Sequence, residues 1–236
     1  MSNNIFKDIV KQIKIFHNIF IKHKFFIKRK TYSMEGEDLI ILKYIDDIKN
    51  GFYVDAGSYH PLHINNTHLL YSKGWRGINI DISKYSIELF KFCRPDDVNV
   101  NLAVSNKPGQ VKFYFQKKIS QLITTKKDIS LNRMQGNIKE KYINSDTLTS
   151  IIEKTKFKNK KIDFLNIDVE GLNIDVEGAD YETLTSLDFK IYCPKIICIE
   201  ITENNIEDSK IFKFLTNLNN KKVWSSKANI SHIFIN

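Results

Sequence analysis

The sequence predicts an α/β fold, a doubly wound and mostly parallel sheet with a C-terminal antiparallel hairpin. Three observations predict it. From residue 51 onward, short apolar strands alternate with helical stretches, the pattern that builds a parallel sheet through crossover helices. Three of those strands end on an acid, Asp55, Asp81 and Asp168, and ligands of open parallel sheets sit outside the carboxyl ends of the strands. Two last apolar runs, 223–225 and 232–235, read as the hairpin.

Taken in order, residues 51–55 form the first strand, which runs into the turn Ala56-Gly57-Ser58. Asn66 is placed to cap a short helix carrying Leu69 and Leu70, and Gly74 to end it. Residues 77–81 form the second strand and 86–92 the next helix. The third strand covers 98–104, and 110–115 is an additional alternating strand. The fourth strand is 162–168, the fifth 195–201, and a late helix over 207–218 precedes the hairpin. Residues 117–145 are rich in Lys, Ser and Asn, lack periodicity, and read as a mobile lid or insertion.

With 42% hydrophobic residues and only 9 Gly and 4 Pro among 236, the composition supports one full core and excludes disordered or linker-like chains. Cys93, Cys193 and Cys198 form no CxxC pair, so neither a disulfide framework nor a structural zinc site is supported, and a reducing cytoplasm fits best. No run of eighteen uncharged apolar residues is present to span a membrane. Residues 1–30 stand apart from a single domain over 31–236. They hold eight Lys or Arg against Asp8, seven of the formal +9, and leave the domain nearly neutral. The basic pI therefore describes an appendage, and no nucleic-acid partner is expected.

Within that appendage Ile5, Ile9, Ile13, Phe16 and Phe20 recur at helical spacing between Lys7, Lys11, Lys14, Lys22 and Lys24, which gives an amphipathic helix with a cationic face. Two placements stay open. The helix packs on the domain or on a second subunit of a homo-oligomer, or it lies on anionic lipid at the inner face of the membrane, where each basic side chain contributes about 1 kcal/mol.

Chemistry concentrates at the strand ends. Ala56 and Gly57 are small enough for backbone N–H groups to approach a ligand. Tyr59 and His60 stand where a GxGxxG turn needs small residues, which speaks against a pyrophosphate cradle and a nicotinamide oxidoreductase. Asp81 follows Asp55 by 26 residues, a spacing suited to a carboxylate on ribose hydroxyls. Asp at a strand end is also ordinary turn chemistry. The pair together points to a nucleoside ligand that carries ribose and needs no phosphate site, of which S-adenosylmethionine is the common one. Residues 101–104 would then line the adenine.

The blocks Ser-Met-Glu-Gly-Glu-Asp-Leu-Ile (33–40), Gly-Phe-Tyr-Val-Asp-Ala-Gly (51–57) with His60-Pro61 and Asn66-Thr67, Lys-Gly-Trp-Arg-Gly-Ile-Asn-Ile-Asp (73–81), Asn-Leu-Ala-Val-Ser (101–105) and Ile-Asp-Phe-Leu-Asn-Ile-Asp-Val-Glu-Gly (162–171) occur in that order. They resemble the ordered blocks of the FkbM family of S-adenosylmethionine-dependent methyltransferases, from about residue 32 to the C-terminus. The resemblance implies a Rossmann-like class I methyltransferase fold and O-methylation, frequently of a sugar hydroxyl in surface-polysaccharide or natural-product pathways. Carried over residue by residue, Glu37 would lie near the cofactor. Asp55 and Gly57 would hold its methionine end, Asp81 its ribose and Ala103 its adenine edge, with Ala56, Ile82 and Asn101 as further cofactor-binding candidates. Asp168 and Glu170 would face both cofactor and acceptor.

One feature departs from the family pattern: LNIDVEG occurs twice in tandem, at 165–171 and 172–178. If the first copy ends the strand, seven extra residues extend the following loop and helix, and two helical turns drift the helix face by only about 20°. If the second copy ends it, an odd insertion in the strand reverses every side chain. This favours Asp168 and Glu170 over Asp175 and Glu177. A rival reading is a non-catalytic cofactor-binding module, membrane-associated or oligomeric, spoiled by the duplication.

Methyl transfer to oxygen needs a group that takes the hydroxyl proton. Asp168 and Glu170 are candidates, and so are His60 and His63, whose imidazoles titrate near neutrality. His60 also reads as a capping or packing histidine. No ligand spacing calls for a metal. A nucleic-acid methyltransferase would want stacking aromatics and a basic groove at the strand end, where Ile-Asp-Val-Glu-Gly stands instead. The expected acceptor is a small molecule or glycan.

Overall fold

The computed structural model describes residues 2–45, 47–117, 123–125, 127, 130–131, 134, 136–169 and 178–236. Among the described residues ten strands form: β1 Phe52–Ala56, β2 Arg76–Ile80, β3 Val98–Val100, β4 Ala103–Val104, β5 Gly109–Phe115, β6 Lys139–Asp146, β7 Phe164–Ile167, β8 Ile196–Glu200, β9 Lys221–Ser225 and β10 Ser231–Ile235. Seven form the main sheet, in the order β3-β2-β1-β7-β8-β10-β9. The first five run parallel, and β10 pairs antiparallel with both β8 and β9. This is a Rossmann-like sheet with its hairpin, and the strand order reverses between β1 and β7, where such sheets bind ligands.

Period-2 alternation sorts the two faces. Phe52, Val54, Ile78, Ile80, Leu165, Ile167, Ile197 and Ile199 enter one buried cluster with the helices α5 (Leu148–Glu153), α6 (Ala179–Thr185) and α7 (Lys210–Asn217). Tyr53, Phe164, Ile196 and Cys198 face the other way, onto α2 (Glu37–Ile45) and α3 (His68–Ser72). Burying each large side chain contributes about 1.5–3 kcal/mol. Helix α4 (Lys84–Cys93) starts where Ser83 Oγ accepts the Ser86 N–H at 3.2 Å, and α7 starts where Ser209 Oγ accepts the Ile211 N–H at 3.1 Å. Gly74 ends α3 at φ +93°, a left-handed turn that suits glycine. The N-terminal helix α1 (Ser2–Phe16) continues through a wider helical turn over His17–Lys22 and seats Ile15 and Ile19 on Leu62 and on Leu89 of α4. Lys11 Nζ pairs with Glu88 at 2.6 Å across that contact.

Several sequence expectations are corrected. The third strand, expected over 98–104, divides: β3 stays in the main sheet, while β4 joins a second sheet of order β4-β6-β5. Asn101 makes the division, since its side chain donates to the Asp81 and Ile82 carbonyls at 2.9 and 3.0 Å and turns the chain away. The additional strand over 110–115 also belongs to this second sheet, paired antiparallel with β6. The stretch expected as a lid over 117–145 thus contains a regular strand, and much of its remainder lies outside the described residues. Asn66 caps nothing: Thr67 holds the N-cap position without a side-chain cap, and Asn66 donates to Asn166 Oδ1 at 2.9 Å.

Candidate active site

One rung of the parallel sheet carries polar side chains across five strands. Asn99, Asn79, Asp55, Asn166 and Cys198 are register partners on β3, β2, β1, β7 and β8, so period 2 turns all five to the same face. Asn79 donates to Asn99 Oδ1 at 2.8 Å and Asn166 to Asp55 Oδ1 at 2.9 Å. Asp55 Oδ2 accepts Thr67 Oγ1 at 2.8 Å and Asn65 Nδ2 at 3.3 Å. The fully buried Arg94 closes the network, donating to Thr67 Oγ1 at 2.8 Å, Asn65 Oδ1 at 2.7 Å and the Pro61 carbonyl at 2.9 Å. Beyond it, Asp97 accepts from Tyr53 OH, from Asn79 at 3.0 Å and from the Gly77 N–H at 2.8 Å. Removing one member of such a network leaves buried groups unpaired at about 1–3 kcal/mol each.

Above this rung, outside the ends of β1, β2 and β7, lies a cavity of about 430 Å³. That size lies within the range of small-molecule sites. Glu37, Asp55, Asp81 and Asp168 all line it, together with Gly57, Tyr59, Ile82 and Ala103. No Lys, Arg or His stands among its described lining residues. Val111, Ile123 and Thr125 from the second sheet and Ser226, Ala228 and Ser231 from the hairpin complete the wall. The Lys227 N–H reaches Glu35 Oε2 at 2.5 Å and ties the hairpin loop to the segment entering α2.

Asp81 and Asp168 differ in their partners. Asp81 is locked by the chain: Oδ1 accepts the Ser83 N–H at 2.6 Å and Oδ2 the Tyr59 N–H at 2.8 Å. Burial nonetheless pushes its carboxyl up to about 7, the two N–H groups offsetting only part of the cost. Asp168 receives no side-chain hydrogen bond among the described residues, and burial together with the neighbouring Asp55, Asp81 and Glu37 lifts it to about 7 as well. Asp55 is raised by burial and held back by Thr67, Arg94 and Asn166. Glu37 is buried, with Oε2 accepting the Glu35 N–H at 2.8 Å. With Glu35, Glu182 and Glu200 also in the lining, seven acids stand around the cavity and no cation among its described lining residues, a strongly negative site suited to a ligand that brings positive charge.

Gly57 joins the first and fourth strands of the parallel set. At φ +81° it turns so that a Cβ would fall 1.8 Å from the Asp168 carbonyl oxygen, so only glycine lets the two strand ends meet. Its N–H, and that of Ser58, donate to the Ile80 carbonyl at 2.9 and 3.1 Å. The expectation that these N–H groups approach a ligand is corrected: they bind the second strand, and the close approach is chain to chain.

The other sequence candidates separate. Ala56 is buried inside β1 and does not line the cavity; Asn101 lies outside it and braces the turn after β2. His60 also lies outside. Its Nδ1 accepts the Leu62 N–H at 3.0 Å, so Nε2 carries the proton and donates to Asn18 Oδ1 at 2.7 Å, and burial lowers its pKa to about 2. It is a neutral packing histidine beneath the N-terminal segment, its ring tilted against that of His23 with centroids 4.1 Å apart, and not a base for the cavity. His63 sits 5.0 Å from His23 on the same side, away from the lining. Glu170, Asp175 and Glu177 lie outside the described residues. The first LNIDVEG copy supplies β7, with Asn166 opposite Asp55 and the Asp168 N–H donating to the Ala56 carbonyl at 2.9 Å. Sequence reasoning missed Tyr59, Asn166 and Glu200 in the lining; alternation within Leu-Asn-Ile-Asp was the signal for Asn166.

The sequence profile of the methyltransferase FkbM domain matches residues 55–172, half of the chain, from the first strand-end acid to just past the first LNIDVEG copy. Neither the curated proteins nor the solved structures contain a match to the chain. On that match this chain belongs to the FkbM methyltransferase family.

Proposed function

We propose that the chain transfers a methyl group from S-adenosylmethionine to a hydroxyl oxygen of a sugar or glycoconjugate precursor. The observation that carries the reading is Asp168, a carboxyl at the cavity whose pKa stands near 7 and which no donor of the described chain occupies. A base poised near the working pH is what proton removal from a hydroxyl asks for.

The residues present fit the cofactor. Asp81, both oxygens already oriented by N–H groups, keeps lone pairs for two ribose hydroxyls. Ile82, Leu102 and Ala103 offer an apolar wall for an adenine, and Glu37 with Asp55 offers negative charge to an ammonium. S-adenosylmethionine, when bound, supplies an electrophilic methyl on a cationic sulfonium. With it bound, Asp168 would take the acceptor's hydroxyl proton as the S–CH₃ bond breaks and the O–CH₃ bond forms, with S-adenosylhomocysteine as the neutral leaving group, and would return that proton to solvent. The lining favours an uncharged polyol: Asn66, Glu182, Glu200, Ser226 and Ser231 bring hydrogen-bonding groups, while no basic side chain among the described lining residues offers itself to a phosphate or carboxylate.

Calorimetry with S-adenosylmethionine and S-adenosylhomocysteine tests the reading. The parent binds both, and Asp81→Ala binds at least tenfold more weakly, the equivalent of about 1.4 kcal/mol. A parent that binds neither overturns the cofactor assignment. Binding without turnover on any glycan acceptor supports the non-catalytic module instead.

A further inference from the structure

Helix α1 has two faces, and only one is used by the fold. Ile15 and Ile19 are buried against Leu62 and Leu89, whereas Ile5, Phe6, Ile9, Ile13 and Phe16 fall within about 100° of arc at 3.6 residues per turn, and more than half of each side chain is exposed. The patch does not stop at the helix. Phe20 gathers Phe16, Phe25, Phe26 and Phe92 around it, with ring centroids 4.7–5.8 Å away, so the apolar surface runs from α1 onto α4 of the domain. Contiguous exposed apolar surface of this kind marks an interaction site.

Charge selects the partner. Residues 1–30 hold eight Lys or Arg against Asp8, and among these Lys7, Lys14, Lys22, Lys24 and Lys28 are exposed and carry no ion pair among the described residues. A second copy of the chain would bring an equal surplus of seven charges to the same interface, because a twofold contact pairs a patch with itself. An anionic surface gains from that surplus. No helix among the described residues is long and apolar enough to cross a membrane, so such a helix lies on the surface.

We infer that α1 and the Phe20 cluster form a membrane-docking face, which inserts its apolar side chains at the headgroup boundary of an anionic bilayer and holds its lysines against the lipid phosphates. The docking face is rigidly joined to the domain. Asn18 Oδ1 receives the His60 Nε2–H at 2.7 Å, Tyr85 OH donates to the Lys14 carbonyl at 3.2 Å, and Lys11 pairs with Glu88 at 2.6 Å. Lipid contact therefore sets the orientation of the whole domain on the bilayer.

Flotation of the full chain with vesicles tests this. Vesicles of phosphatidylcholine with about one third phosphatidylglycerol are expected to carry the protein, more weakly at high salt, and vesicles of phosphatidylcholine alone are not. Ile9→Ser with Ile13→Ser is expected to weaken partitioning at least tenfold. Lys7→Gln with Lys14→Gln is expected to weaken it about 25-fold, about fivefold per charge. All four positions are exposed, so the melting temperature of both variants stays at that of the parent, which separates docking from folding. Absence of flotation with the anionic vesicles, or equal flotation with the neutral ones, overturns the proposal. So does a dimer in sedimentation equilibrium that Ile9→Ser with Ile13→Ser dissociates.

Discussion

Replacing Asp168 with Asn is expected to stabilise the protein at pH 8. Asp168 stands among Asp55, Asp81 and Glu37, and its pKa rises from 3.8 to about 7 in the folded state. Each pH unit of that gap corresponds to about 1.4 kcal/mol, so the whole gap corresponds to about 4 kcal/mol. The neighbouring acids give up part of their own repulsion when one of the set is neutralised, which brings the expected gain to about 2 kcal/mol. The sign follows from proton binding. Between pH 4 and 7 the folded state holds a proton on Asp168 that the unfolded state has released, so this group's contribution is lost as pH rises through that window. The advantage of Asn is then largest above pH 7, less than half as large at pH 5, and absent below about pH 4. His23, His60 and His68, lowered to about 4, 2 and 4 chiefly by burial, act in the opposite direction as pH falls below 6.5. The informative quantity is therefore the difference between variant and parent at one pH, in which the histidines cancel. Urea unfolding at pH 8 and pH 5 measures it, and at pH 8 the gain corresponds to about 4–8 °C in melting temperature. An Asp168→Asn protein no more stable than the parent at pH 8, or with a gain independent of pH, refutes the electrostatic account. The same variant is expected to lose about 10²-fold or more in methyl transfer, a case of stability set against function.

Two further outcomes are expected. Gly57→Ala meets both a φ of +81° and a Cβ only 1.8 Å from the Asp168 carbonyl oxygen, so a thermal melt should show at least about 2 kcal/mol of destabilisation and calorimetry a loss of cofactor affinity, while an unchanged melt would contradict the strand-end packing. His60→Gln should leave the pH profile of methyl transfer where it was and raise the protease sensitivity of residues 1–30, because it releases the bond to Asn18; a displaced acid limb of the profile would restore His60 as the base.

Much of the fold was legible because a strand in a buried parallel sheet needs a short apolar run, and such runs leave a local trace. Residues 51–55, 77–81 and 162–168 carried that trace, and the acids at their ends were visible as Asp55, Asp81 and Asp168. Gly74 and the hairpin were likewise written in local chemistry. The tertiary structure decided what depends on residues far apart in the chain. Register set Asn79, Asp55 and Asn166 on one rung, and pairing alone fixes register between strands joined by long crossovers. The break after β3 followed from the Asn101 side chain reaching back to the turn after β2, a contact that no periodicity encodes. His60 looked like a base because its residue type suits one, and Asn18, 42 positions earlier, occupies its Nε2. The unusual carboxyl of Asp168 has the same origin: an acid is ordinary in sequence and becomes a proton acceptor near neutrality only when folding removes its water and surrounds it with three more acids.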